Sequence, residues 1–454
     1  MMTNASFKGA ANAEKTSAFS GLEPYFEARS VLSNGLTVVS ATLTHLHTVA
    51  VGVFAPGGPR YERAEDNGLS HVVEHGLFRG CEGFPSARAF NEAVESCSLG
   101  LGAATYREFV TLDALCGPDH VSELLALVGA MLSAPTWADL DIEQRIIVEE
   151  LQDELDENGR DIDVDNVAKL TLMPNCGAGR KIGGDIPQVK RFTALDCQRW
   201  FEACYGAQNL VLSVAGPLAH DTVVAMAEAS LGSLRPGSPL APTDMAVRGD
   251  LPALEYVSHG GSQTSIQVAW LVPPPASPDW PALTAIQRLL DDGTCGRLRR
   301  RITDDDGLAY HVGSSLEAFT DRALFVIEAD ISHDNVLAVL DAVFEEVAAL
   351  GSEDATSNEW SRMRQRYGFD LAVAIDGAPE VAYRLGLAAF YGRDLAIESA
   401  KAKFLELTPK DVRDVVTRHL TPTGAQITVI GALDPMDRVG LRRRVHRLRG
   451  TNHA

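Results

Sequence analysis

Alternating apolar and polar runs, each followed by a stretch with apolar residues three and four apart, appear in this chain twice in the same order. THLHTVAVGVFAPGGPRYE alternates with the period of a strand up to Ala55-Pro56, and SQTSIQVAWLVPPPASPD does so up to Val272-Pro273, an offset of 217 positions. Asp119 opens the helical pattern DHVSELLALVGAML and Asp334 opens DNVLAVLDAVFEEV, an offset of 215. The short apolar runs NLVLSVAG and AQITVIG close on Gly216 and Gly431, again 215 apart. Three landmarks at nearly one offset predict a duplicated unit.

The proline-rich stretch Arg235 to Asp244 has the composition of a linker and divides the chain almost in half. The expected organisation is a flexible tail over 1–24, a first domain over 25–234, the linker over 235–244 and a homologous second domain over 245–454. Strands with hairpin-like alternation mixed with long helices predict an α+β fold. Each domain is a mostly antiparallel sheet with helices packed on one face, and two facing sheets leave a cleft between them.

Composition narrows the function classes. Hydrophobic residues make up 45% and charged residues 22%, as in a globular protein with a sizeable core. With 61 acidic against 40 basic residues the formal charge is −21, which repels phosphate backbones and anionic lipid, so neither nucleic acid nor membrane is the expected partner. Seven scattered cysteines without a Cys-x-x-Cys pair read as reduced thiols. The first residues lack an apolar signal core, which predicts a cytoplasmic protein.

Chemistry enters at GLSHVVEHGLFRG. His71 and His75 are four apart, on one face of a helix, where two imidazoles reach the same ion; Glu74 projects to that side and can deprotonate a water. By composition such an H-x-x-E-H arises by accident about 2 times in 100, so a third ligand on another element is what decides the reading. LDIEQRIIVEELQDELDEN supplies candidates. Glu143 and Glu150, two helical turns apart, share a face, and one can ligate while the other orients from behind.

With these residues in place the chain resembles the pitrilysin family of zinc peptidases, the inverzincins, which includes insulin-degrading enzyme and the mitochondrial processing peptidases. NGLTVV, the strand-like segment from Gly102 to Leu112, YGAQNLVLSVAG and GLAYHV resemble further family landmarks. The resemblance runs from about Ser30 to Gly431. It implies zinc held by His71, His75 and Glu150, with Glu74 as the base and Glu143 as a supporting acid. The matching helix of the second copy, near Pro281 to Leu290, has no histidine.

Two departures stand out. Relatives carry an Asn-Ala-x-Thr strand where this chain has Gly102, Ala103, Ala104 and Thr105. They also place an Arg seven residues before the Tyr of G-L-A-Y, as a pair that steadies the oxyanion; here Tyr310 is present and position 303 is Thr. The implied function is a zinc endopeptidase acting on extended peptides, and the resemblance implies ribosomally made precursors among them. It would be the catalytic half of a heterodimer whose paralogous subunit supplies Arg and Tyr. A homodimer is the runner-up, and a non-catalytic assembly or peptide-binding subunit of the same fold is the alternative.

Overall fold

The computed structural model describes residues 26–245, 249–251, 253–394 and 396–448; the expected tail over 1–24 lies outside the described residues. Two sheets dominate. The first joins β1 (Phe26–Val31), β2 (Thr37–Thr42), β3 (Val49–Pro56), β4 (Ser98–Thr105), β5 (Phe109–Cys116) and β6 (Val211–Gly216) in the order β1-β2-β6-β3-β5-β4. The second joins β7 (Ala253–Ser258), β8 (Thr264–Val272), β9 (Ala309–Ala318), β10 (Ala323–Ile331) and β11 (Ala425–Gly431) in the order β7-β11-β8-β10-β9. Each sheet is antiparallel except for one parallel pair, β2 with β6 and β7 with β11, so the second order repeats the first without β1. The stretch Arg235 to Met245 carries neither helix nor strand.

Alternation along the strands explains how each sheet buries both faces. Val51, Val53 and Ala55 point into a core with helices of their own half, while Ala50 and Phe54 point the other way. Each half's own helices cover one face, as the pattern predicts; the opposite face is covered by a helix from the other half. Helix Ala378–Phe390 lays Val381, Ala382, Leu385 and Ala389 on Val39, Ala41, Phe54, Val211 and Ala215 of the first sheet. Gly386 is required there, since a Cβ at 386 would lie 1.9 Å from the Phe54 ring. In return, helix Val164–Leu172 and the turn after it set Leu172, Met173, Cys176 and Ala178 against Ala269, Leu324 and Val326 of the second sheet. Lys169 of that helix pairs with Glu317 of β9 at 2.7 Å.

The strand expected over Gly102 to Leu112 is instead the hairpin of β4 and β5, turning at Tyr106, Arg107 and Glu108. Burial of charge explains the break. Arg107 donates to the carbonyls of Ala178 and Arg180 and to Asn166 Oδ1, and Glu108 Oε1 lies 3.2 Å from Arg60 Nε. Both side chains turn inward, where such partners offset their desolvation. The cysteines are all free, six of them buried and Cys295 exposed.

Candidate metal centre

The helix that carries the motif, Leu69–Leu77, begins at a buried carboxylate. Glu62 Oε2 accepts from Gly68 N at 2.9 Å and Asn67 Nδ2 at 3.0 Å, and Oε1 accepts from Ser70 N at 2.7 Å. An acceptor with negative charge at the orphan N–H groups of a helix start stabilises that end, although burial itself pushes the Glu62 carboxyl upward. Gly68 has φ +93°, and a Cβ there would lie 2.5 Å from Gly183 O, so the helix start seats closely on the Gly183-Gly184 turn. These contacts fix the rotation of the helix and hence the direction of both histidines.

His71 and His75 stand with their Nε2 atoms 3.2 Å apart. Glu150 reaches them from helix Leu140–Asp153, its Oε2 3.8 Å from His71 Nε2 and 3.9 Å from His75 Nε2. The three ligand atoms lie within 4.8 Å of one another. A tetrahedral zinc with bonds of about 2.0–2.2 Å separates its ligand atoms by roughly 3.3–3.6 Å, close to these spacings. Glu150 is half exposed.

The hydrogen bonds around the histidines point to a cation. His75 Nδ1 lies 2.9 Å from Glu143 Oε2, and Glu143 Oε1 accepts from Arg79 Nη1 at 3.1 Å. A carboxylate paired with a guanidinium acts as the acceptor for the imidazole, so Nδ1 carries the proton and the Nε2 lone pair faces His71. His71 Nδ1 is buried without a hydrogen-bond partner among the described residues. If His71 carried its proton on Nε2, Nδ1 would stay a buried unpaired acceptor; if on Nδ1, two lone pairs would face each other across 3.2 Å. A cation between the Nε2 atoms removes the second conflict, and two imidazoles with one carboxylate are the donor set of catalytic zinc. Burial first, and His75 second, push the His71 imidazole down to about 4, which keeps it neutral and able to ligate.

Glu74, on the same helix, is buried and directed to β4, where the Thr105 hydroxyl donates to its Oε2 at 2.6 Å. Burial raises its carboxyl above the ordinary range against the lowering by that hydrogen bond. Tyr310, by contrast, projects from edge strand β9 with 91% of its surface exposed and bonds to none of His71, Glu74, His75 or Glu150. Thr303 lies in the π-helical turn Arg299–Asp305, and the nearby Arg297 is held by both oxygens of Glu359, at 2.9 and 3.1 Å.

Spacing alone did not find Glu62, Arg79 or Thr105. Arg79 had a signal in its place four residues beyond His75, and Thr105 in its match to the Thr of the relatives' Asn-Ala-x-Thr strand; Glu62 is read only from the fold. The contact behind His75 yields a prediction. Glu143→Gln is expected to weaken zinc binding by about ten- to a hundredfold, read by competition with a chelating dye; unchanged affinity would show that Glu143 does not orient His75.

A sequence model described as insulinase, peptidase family M16, matches residues 37–175, and one described as the peptidase M16 inactive domain matches residues 191–367. An uncharacterized zinc protease of Streptomyces coelicolor is 27% identical over 89% of this chain and 89% of its own length. The mitochondrial-processing peptidase subunit beta of Caenorhabditis elegans is 24% identical over 88% of this chain and 89% of its own. Among solved structures, a protease from Helicobacter pylori superposes with TM-score 0.82 at 17% identity, covering 90% of this chain and 99% of that one. A peptidase M16 inactive domain from Pseudomonas fluorescens gives TM-score 0.80 at 20% identity, covering 90% and 100%. Models of one family thus follow each other along most of the chain, and relatives matched over nearly their full length are named as zinc proteases: the chain belongs to the M16, or pitrilysin, family of zinc peptidases.

Proposed function

We propose that this chain is the metal-bearing half of a zinc endopeptidase, in which His71, His75 and Glu150 hold the ion and Glu74 is the general base. The observation that carries the reading is the convergence of those three ligand atoms within 4.8 Å, with Glu74 on the same helix. Zinc held there would supply Lewis-acid polarisation and lower the pKa of a bound water to about 7. The protein's own part is positional and protolytic. Thr105 fixes one oxygen of Glu74, leaving the other to take the proton of the attacking water and to return it to the leaving amine. Glu143 and Arg79 hold His75 in the tautomer that ligates. Edge strand β4 offers unpaired backbone groups beside Glu74 for an extended peptide.

The reading includes a second subunit that provides an Arg and a Tyr across the cleft, and a ribosomally made precursor peptide as a natural substrate. Thr303 and the solvent-facing Tyr310 support the first point. Among the described residues no helix is long and apolar enough to cross a membrane. Elemental analysis tests the assignment. The purified chain is expected to carry about one zinc per chain, largely lost in His71→Ala together with peptide hydrolysis; full zinc in that variant would remove His71 from the ligand set.

A further inference from the structure

We propose that a cleft of the second half, between helices Trp280–Asp291, Ser357–Asp376 and Ile397–Leu405, binds a small organic acid. The carboxylate sits on Arg393, with Lys403 adding positive charge at the mouth, and an aromatic or branched apolar body lies against Trp280 and Tyr367. The site goes beyond the peptidase reading and does not rest on it, since its lining shares no residue with the metal centre.

The turn after helix Ala378–Phe390 sets the arginine in place. Gly392, at φ +63°, donates its N–H to Ala389 O at 3.1 Å, and Arg393 N donates to Ala388 O at 2.7 Å. These two bonds form the Schellman end of a helix, which calls for a residue tolerant of left-handed backbone at 392. The Arg393 guanidinium then lies 4.2 Å from the centre of the Tyr391 ring. Tyr391 is itself held. Its hydroxyl donates to Ala318 O at 3.2 Å, and its ring stands at 88° and 79° to those of Phe109 and Phe390. The cation is thus positioned before any ligand arrives.

What it lacks is a counterion. Charges taken out of water are ordinarily paired, and this chain has an excess of 21 negative charges to draw on. Yet the half-buried Arg393 side chain makes no hydrogen bond or ion pair among the described residues. Burial pushes the guanidinium down from its usual value, more than Tyr391 and Glu108 raise it. Glu108 is already engaged by Arg60 and Thr320. Lys403, exposed at the mouth, feels Asp394 through space and forms no ion pair among the described residues.

The carboxylates of the cleft are mostly committed to backbone. Asp394 accepts from Ala396 N at 3.0 Å, and Asp411 accepts from Thr408 N at 2.8 Å and from its hydroxyl at 2.7 Å. Among the described residues that leaves Glu406, at the exposed rim, against two uncommitted cations. The volume, about 940 Å³, falls within the range of roughly 300–1,000 Å³ usual for small-molecule sites. The walls suit a flat or branched apolar body: Trp280 on one helix, and on another Tyr367, whose ring stacks on Phe404 with centres 3.8 Å apart.

The test compares acids with their amides. Zinc-loaded protein is titrated calorimetrically with indole-3-acetate, 3-phenylpropionate and 4-methylpentanoate, and with the amide of each. At least one acid is expected to bind about tenfold or more tightly than its amide, through charge-assisted bonds to the guanidinium. Arg393→Gln should remove that difference, Arg393→Lys should keep part of it, and Trp280→Ala should weaken the indole acid and its amide alike, by about tenfold. Zinc-free protein should bind equally well, because an acid held at the metal centre would lose its place with the ion. Acetyl-Gly-Gly-Phe with a free or amidated end identifies the source. A preference for the free end assigns the cleft to peptide C-termini, and binding of the small acids alone assigns it to free metabolites. Equal binding of acid and amide, no binding of any acid, a preference that survives Arg393→Gln, or one that disappears with the zinc would overturn the proposal. The acid and amide comparison uses the unaltered chain, so it decides the matter even where a variant fails to fold.

Discussion

Glu74→Gln is expected to keep its zinc and to lose about a hundredfold to ten-thousandfold of peptide hydrolysis. The amide has nearly the shape of the carboxylate and can still accept from the Thr105 hydroxyl, which now bonds to Glu74 Oε2 at 2.6 Å. It has no lone pair basic enough to take a proton from water. The proposed ligands His71, His75 and Glu150 do not include this side chain, so zinc stoichiometry should be untouched. Turnover of a quenched fluorogenic peptide, with zinc measured on the same sample, checks both halves of the statement. Hydrolysis at the original rate with metal retained would mean that Glu74 is not the base.

Supplying an arginine from the proposed second subunit is the other large expected effect. Position 303 is Thr, and Arg297, which might have stood in for it, is committed to Glu359. Loss of an oxyanion donor typically costs about a hundredfold to a thousandfold. A second copy of this chain would bring the same Thr303. The chain alone is therefore expected to be slower by about that factor than the chain mixed with a paralogue that carries Arg and Tyr, and Arg→Ala in the paralogue should abolish the gain. Tyr310, exposed at the sheet edge, is free to face such a subunit. Robust turnover by the isolated chain, indifferent to any paralogue, would show that this half is self-sufficient.

The duplication was legible because strand alternation and helical spacing survive where identities do not, and the offsets near 215 correspond to the repeated order of β3, β6 and their counterparts β8, β11. The candidate metal set was legible because helical spacing puts His71 with His75, and Glu143 with Glu150, on common faces. The meeting of the two helices was not derivable from spacing and came from the family resemblance. Glu62 was invisible for a physical reason: a helix-capping carboxylate six residues upstream is recognised only when the intervening turn folds back. The hairpin at Tyr106–Glu108 was hidden because charged residues in a segment usually mark solvent, and here Arg107 and Glu108 are buried. The crossed helices were hidden too. An apolar stripe announces that a helix face is covered, and leaves open which sheet covers it.

That exchange of helices sets the order of events as the chain is made. Strands β2, β3 and β6 are complete once Gly216 has been synthesised, yet Val39, Phe54 and Val211 have no cover until residues 378–390 follow. At about 5–20 residues per second the gap lasts on the order of ten to thirty seconds. The contacts that end it span well over 150 positions, a high contact order that slows docking. Once docked, neither half can open without baring the other's sheet, so calorimetry should record one unfolding transition, and two separate ones would contradict this. The nascent first half thus carries a bare apolar sheet face for that interval, and mutations at Leu385 or Gly386 should be felt first as lost yield and only then as lost activity.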